Sequence, residues 1–275
     1  MNLALLIPAG GSGTRYLASG ALRSKLDEDL GGRPVLQRTI ENFVNHAEVG
    51  PLIKAIVVAG PADAEEFAEF KTRHGDRLGL MGATLCRGGR DFRHQSVKAA
   101  LDCLLALPAG ESCTHIAVHD AARPCTSQDL IQRMVDAAAK HPAVIPTVDV
   151  ADTIKRVELD TVGADEEDDD PLARILGAKP KADPPRIVKE TVPRENLVMV
   201  QTPQVFAKDL FVRAYSQKDL GSTDDAGLVE RLGQSVRIIS GESSNLKITR
   251  TADLTLARAI LKAPPPSQRE AHKRF

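Results

Sequence analysis

An α/β fold is predicted, with a mainly parallel sheet and helices on both faces. Two observations predict it. Through the first 150 residues, short and almost continuously apolar runs alternate with longer amphipathic ones, and after a break the same alternation resumes beyond residue 196. Strands that alternate with helices make βαβ units, whose right-handed crossovers lay helices on each side of a buried sheet.

The elements follow in order. "LALLIP" (3–8), "IKAIVVAG" (53–60), "ATLCRGG" (83–89), "HIAVHDA" (115–121) and "AVIPTV" (143–148) read as buried strands. Pro34 starts a helix in which Val35, Leu36, Ile40, Phe43, Val44 and Ala47 share a face, and Pro61 starts "PADAEEFAEFKTRHG" in the same way. "HQSVKAALDCLLAL" places Val97, Ala100, Leu101, Leu104 and Leu105 on one stripe. "SQDLIQRMVDAAAKH" opens on Thr126 or Ser127 as cap. After residue 196 come a strand "LVMVQTP", helices "KDLFVRAYSQ" and "DDAGLVERLG", strands "SVRIIS" and "NLKIT", and a helix from about Thr251 to Lys262. The whole is a Rossmann-like single domain over 1–262, followed by a flexible tail at 263–275.

Between these halves the pattern changes. "DTIKRVEL" and "RIVKETV" alternate with a period near two and are expected to pair as a protruding antiparallel arm, about 152–195. Inside the arm lie an acidic run, "DEEDDD" (165–170), and a proline-rich stretch, "KPKADPPR" (179–186). Like charges repel and proline stiffens, so about 159–186 reads as a flexible acidic insertion in solvent.

Composition excludes several functions. A net charge of -1 argues against a general nucleic-acid or membrane-surface binder, so any basic site is local. Aromatic residues are 3% and Trp is absent, which makes the core aliphatic. No stretch reaches the roughly 20 apolar residues of a membrane span. "MNLALLIPAG" lacks a basic start and is interrupted by Pro8, so it reads as a strand rather than a signal peptide. Cys86, Cys103, Cys113 and Cys125 fit no zinc spacing. No protein-built metal site and a cytoplasmic location are expected, with reduced thiols.

"IPAGGSGTRYLASGALRSK" (7–25) carries the first chemical signal. Gly10, Gly11 and Gly13 crowd a loop that leaves the first strand, and Arg15 and Lys25 follow. Open α/β sheets bind ligands at the carboxyl ends of their strands. Glycines let backbone N–H groups reach phosphate oxygens with no Cβ in the way. The dinucleotide fingerprint G-x-G-x-x-G fails because position 16 is Tyr, and the P-loop fails because no Gly-Lys dipeptide occurs. A strand, a bare loop and two cations still point to phosphate binding.

"PAGGSGTR…SK" resembles the signature loop of the sugar-phosphate nucleotidylyltransferases. "HDAARP" (119–124), together with "GGRDFRHQSV" (88–97), "DTIKR" (152–156), "TPQVF" (202–206), "TDDAGLVE" (223–230) and "NLKITR" (245–250), resembles the 2-C-methyl-D-erythritol 4-phosphate cytidylyltransferases. The motifs stand in family order and span nearly the whole chain apart from the acidic insertion and the tail.

The resemblance implies a cytidylyl transfer from CTP to a sugar-alcohol phosphate, with Mg²⁺ bound mainly through the triphosphate. It implies Arg15, Lys25 and Lys247 as the catalytic cations, Lys247 held on a short strand by Leu246 and Ile248. Nucleotide contacts fall to Ala9, Gly10, Gly11, Gly13, Gly88, Gly89, Ser96, Asp120 and Ala121. Acceptor contacts fall to Asp120, Arg123, Thr153, Arg194, Thr202 and Thr223. Arg123, following two alanines, has few structural reasons to be there. In the family the arm crosses to a second subunit, so a homodimer is implied. One departure stands out: the stretch from Gly89 to Ser96 is a residue longer than the family pattern, which leaves base choice open.

Three other readings compete. A cytidylyltransferase for another polyol phosphate, such as ribitol 5-phosphate, shares these motifs. An NAD-dependent oxidoreductase shares the opening strand, loop and helix but lacks the third glycine and leaves three cations unexplained. A nucleotide-binding regulator without turnover would not need the full cation set.

Overall fold

The computed structural model describes residues 1–11, 13–158 and 186–264. The acidic run at 165–170, nearly all of the proline-rich stretch and residues 265–275 of the tail lie outside the described residues. The chain divides into two compact units, Met1–Val148 with Val200–Phe275, and Asp149–Met199.

The first unit opens with β1 (Leu3–Pro8), the one-turn helix α1 (Thr14–Leu17), α2 (Val35–Val44) and β2 (Ile53–Gly60). It continues with α3 (Ala64–Leu80), β3 (Ala83–Arg87), α4 (Arg93–Ala106), α5 (Pro108–Ser112), β4 (His115–Val118), α6 (Gln128–Ala138) and β5 (Ala143–Asp149). Next come β6 (Ile154–Val157), β7 (Val188–Val192) and β8 (Val198–Val200). The chain ends with β9 (Gln204–Ala207), α7 (Lys208–Tyr215), α8 (Ala226–Arg231), β10 (Arg237–Ser240) and α9 (Thr251–Ile260).

The main sheet runs in the order β10, β5, β9, β4, β1, β2, β3. Four pairings along it are parallel, and β9 runs antiparallel to both of its neighbours, β4 and β5. The period of two in β1 builds both layers. Leu3, Leu5 and Ile7 pack with Leu36, Ile40 and Phe43 of α2 and with Leu130, Ile131 and Met134 of α6. Ala4 and Leu6 face the other way, among Val97, Leu101 and Leu104 of α4 and Leu210 and Phe211 of α7. Each such fully buried Leu, Ile or Phe contributes about 1.5–3 kcal/mol. A central strand buried on both faces is therefore the most expensive to disturb. No helix among the described residues is long and apolar enough to cross a membrane.

In the second unit β6 and β7 pair antiparallel, with Ile154 opposite Val192 and Lys155 opposite Thr191. This is the pairing expected from the alternating flanks.

Four local expectations are corrected. α3 starts not at Pro61 but after Asp63, whose carboxylate accepts the N–H groups of Glu65 at 2.9 Å and Glu66 at 3.1 Å. A side chain that satisfies two orphan donors outranks a proline that satisfies none. α2 ends at Val44, so Ala47 is exposed outside it. Leu105 is 44% exposed, off the stripe that buries Leu101 and Leu104. Finally, Lys247 lies on no strand. Ile248 makes a single backbone bond, to Ala122 O at 2.9 Å, and one bond is not a ladder.

Candidate active site

Strand order decides where the site lies. From β1 to β2 to β3 the chain steps across the sheet in one direction, and β4 then returns to the other side of β1. A crevice opens where the order reverses, at the carboxyl ends of β1 and β4. Residues 9–25 leave β1 at that point, and His119 and Asp120 leave β4 there.

The loop is pressed against the neighbouring strand end. A Cβ added to Gly10 would sit 2.4 Å from the carbonyl oxygen of Gly60, closer than real Cβ atoms come. That same carbonyl accepts the N–H of Gly88 at 2.9 Å, so the β1, β2 and β3 exits are knitted together. Gly13 has φ of 65° and caps α1, a left-handed conformation that glycine adopts without penalty. The turn delivers Arg15 one residue into that helix.

A cavity of about 290 Å³ opens over these ends. Ala9, Gly10, Gly11, Gly13, Arg15 and Lys25 line it from the β1 loop. Gly89 lines it from the β3–α4 connection and Ser96 from the first turns of α4, Asp120 and Ala121 from beyond the end of β4, and Lys247 from the far end of the sequence. Three cations at positions 15, 25 and 247 therefore share one concave surface. Lys25 Nζ donates to the backbone carbonyl of Ile248 at 3.1 Å, and Lys247 Nζ lies 3.0 Å from Asp120 Oδ2. Burial, and then the positive charges of Lys247 and Arg15, pull Lys25 down to about 8. A site that depresses a lysine in this way is poised to receive an anion.

Asp120 is the hub. Its Oδ1 receives Arg93 Nε at 3.1 Å, and its Oδ2 receives Arg123 Nε at 3.3 Å beside Lys247. Burial alone would raise this carboxyl, but Lys247, Arg93 and Arg123 outweigh it and hold it far below the usual carboxylate range. Behind it, His119 is fully buried and burial pushes it down to about 3, so it is neutral. Its ring bonds the Thr202 hydroxyl at 3.1 Å, and that hydroxyl accepts the N–H of Asp120 at 3.0 Å. These neutral bonds fix the backbone that carries the charge.

With this arrangement in view, the comparisons with known proteins are specific. The family model of 2-C-methyl-D-erythritol 4-phosphate cytidylyltransferase matches residues 3–179 and 175–263. The chain belongs to this family. A cytidylyltransferase of that name from Rhodococcus jostii (strain RHA1) is 37% identical over 257 residues, 93% of each chain. Another, from Frankia casuarinae, is 36% identical over 267 residues, covering 97% of this chain and 84% of that one. The crystal structure of the enzyme of that name from Thermus thermophilus superposes with a TM-score of 0.65 at 29% identity, covering 96% of this chain and all of that one.

Not every residue that the family resemblance implies stands on the cavity. Gly88, Arg123, Thr202 and Thr223 belong to the same unit but do not line it. Arg123 is buried and donates to Asn245 O at 2.6 Å as well as to Asp120, so it does have a structural reason to follow the alanines. The Thr202 hydroxyl is already engaged by His119 and the Asp120 N–H. Ser96 caps no helix; its hydroxyl accepts the Gly89 N–H at 3.1 Å, tying the start of α4 back to the end of β3. Thr153 and Arg194 lie in the second unit, where Arg194 Nη1 donates to Ala151 O.

Sequence reasoning passed over Arg93 and Asp225. Arg93 lines the cavity and bridges Asp120 to the fully buried Asp225. The one available signal was the acidic pair Asp224–Asp225 standing before an apolar helix, where an acid needs a partner.

Proposed function

We propose that this chain transfers the cytidylyl group of magnesium-bound CTP to the phosphate of 2-C-methyl-D-erythritol 4-phosphate, releasing pyrophosphate. The observation that carries this reading is the convergence of Arg15, Lys25 and Lys247 on one cavity in a chain of this family. An acceptor phosphate oxygen attacks the α-phosphorus, a P–O bond forms, and the bond to the departing pyrophosphate breaks. Both reactants are anions, and charge grows on the α-phosphate and leaving group. The chain's task is therefore to position and to neutralise. Arg15 grips two oxygens with its planar fork, while Lys25 and Lys247 act as point charges. No side-chain nucleophile is required.

Magnesium enters as part of the substrate. Among the described residues no group of three His, Cys, Asp or Glu side chains is gathered for a metal. Of the carboxylates on the cavity, Asp120 already spends both oxygens on three cations, and Asp91 is the other. Such a sparse donor set suits an ion that keeps its waters and phosphate ligands.

The acceptor contacts of Thr153 and Arg194 are proposed to come from a second copy of the chain through the β6–β7 arm. Ile187 and Val188, at the start of β7, are 48% and 53% exposed, apolar surface that an associating copy would cover. A cytoplasmic setting is proposed too, because all four cysteines are free thiols, as a reducing compartment keeps them.

The test is pyrophosphate release by the purified protein with each of the four nucleoside triphosphates and a panel of acceptors. Methylerythritol phosphate with CTP should be the fastest pair. Much faster turnover of ribitol 5-phosphate would replace the acceptor. NADH binding without pyrophosphate release would replace the reaction class.

A further inference from the structure

A chain of hydrogen-bonded groups runs from the core to the cavity, and the proposed reaction gives its inner members, Tyr215, Asp225 and Arg93, no role. Tyr215 Oη donates to Asp225 Oδ1, and Arg93 Nη1 donates to Asp225 Oδ2 at 2.8 Å. Arg93 Nε then donates to Asp120 Oδ1 at 3.1 Å, and Lys247 Nζ lies 3.0 Å from Asp120 Oδ2. Asp225 is completely buried, and Tyr215 is 1% exposed. One end of the chain is thus fixed in the core, and the other is a cation on the cavity.

Among the described residues Arg93 is the only link between the two carboxylates. A planar guanidinium reaches both at once with separate nitrogens, which a lysine ammonium cannot do with the same geometry. By occupying Oδ1 it leaves Oδ2 to Lys247 and Arg123 and so fixes the rotation of the Asp120 carboxylate. It also shares the negative charge of Asp120, which Lys247 meets at 3.0 Å.

We propose that Arg93 is a positioning residue: anchored to the core by Asp225 and Tyr215, it orients Asp120 so that Lys247 stays available to a bound polyphosphate. The proposal rests on the reading of Lys247 as a phosphate contact. The competing account is that Arg93 only neutralises buried Asp225.

The experiment separates the two. Arg93→Met alone leaves Asp225 buried without its counter-charge and is expected to lower the melting temperature sharply. Arg93→Met combined with Asp225→Asn removes both charges and is expected to recover most of that loss. If Arg93 positions Asp120, the double variant still binds inorganic triphosphate about tenfold more weakly by calorimetry. Its kcat falls further than its KM for CTP changes. Arg93→Lys, which keeps one charge but cannot span both carboxylates, is expected to lie between. Triphosphate affinity within twofold of the unaltered protein in both the double variant and Arg93→Lys would overturn the proposal. Unaltered protein that binds triphosphate but releases pyrophosphate from no nucleotide overturns the proposed reaction, while the affinity comparison still decides the role of Arg93. Unaltered protein that binds no triphosphate overturns both.

Discussion

Lys25 Nζ donates to the backbone carbonyl of Ile248 at 3.1 Å, a bond across 223 positions of sequence. It ties the glycine loop of the first strand to the segment that carries Lys247. The bond comes with an electrostatic cost. Burial first, then Lys247 and Arg15, lower Lys25 from 10.5 to about 8. A lysine whose folded pKa lies below its unfolded value opposes folding while it is charged. That penalty is full below about pH 8 and is relieved as the pH rises from 8 to 10.5. Lys25→Met removes it. The difference in urea midpoint between the variant and the parent should therefore shrink as the pH is raised through this window. A difference that stays constant across it would show that the ammonium carries no such penalty.

A polyphosphate in the cavity reverses this depression. The anion supplies the charge that Lys25 lacks and raises its pKa. Near pH 8.5 binding should therefore take up a proton, and affinity should weaken as the pH climbs past about 8. Calorimetry of magnesium–CTP binding in two buffers of different ionisation enthalpy reads the proton directly. Identical heats in both would exclude the coupling.

Lys25→Ala and Lys247→Ala should each reduce kcat much more than they raise KM for CTP. The charge that these groups meet grows in the transition state, and removing one such donor costs roughly 10²–10³-fold. Steady-state kinetics at saturating acceptor makes the division. Turnover close to the parent's in either variant takes that lysine out of the mechanism.

How much of this was legible in the sequence follows from what each feature depends on. β1 and β2 were readable to the residue, because a strand buried on both faces must be almost continuously apolar, interrupted in β2 only by the exposed Lys54 near its start. The glycine loop was readable because its chemistry is local. Lys247 was found through the family resemblance but placed on a strand, since apolar neighbours at 246 and 248 mimic alternation. A strand needs a ladder, and these residues face Ala122 through one bond. Arg93 was hidden for a different reason. Its two carboxylate partners are 27 and 132 positions away, a spacing that no local pattern encodes. Arg123 was similarly misjudged until Asn245, 122 positions on, supplied its acceptor.

Tyr215→Phe tests the core end of the charge chain. The phenol donates to Asp225 Oδ1 inside a fully buried pair, so its removal strands one carboxylate oxygen. Leaving such a group unpaired costs about 1–3 kcal/mol. Chemical denaturation should show that loss with an unchanged m-value. Stability equal to the parent's would mean that Arg93 alone satisfies Asp225.

Gly10 and Gly11 adjoin each other on the same loop and line the same cavity, yet they should fail differently. A Cβ on Gly10 meets the Gly60 carbonyl at 2.4 Å and the Ser96 hydroxyl at 3.3 Å. That carbonyl also accepts the Gly88 N–H, so any shift that relieves the clash disturbs a second loop. Gly10→Ala should lose about 1–3 kcal/mol of stability, the usual cost of forcing a methyl into filled space, and nucleotide affinity with it. A Cβ on Gly11 meets nothing within 4 Å. Gly11→Ala should therefore stay within about 0.5 kcal/mol of the parent in stability. It should still weaken CTP binding, because the methyl enters the space through which backbone N–H groups approach phosphate. Melting curves and CTP titrations on the two variants separate fold from site. Equal destabilisation by both would mean that the loop tolerates no side chain at all, and that its glycines serve the fold rather than the ligand.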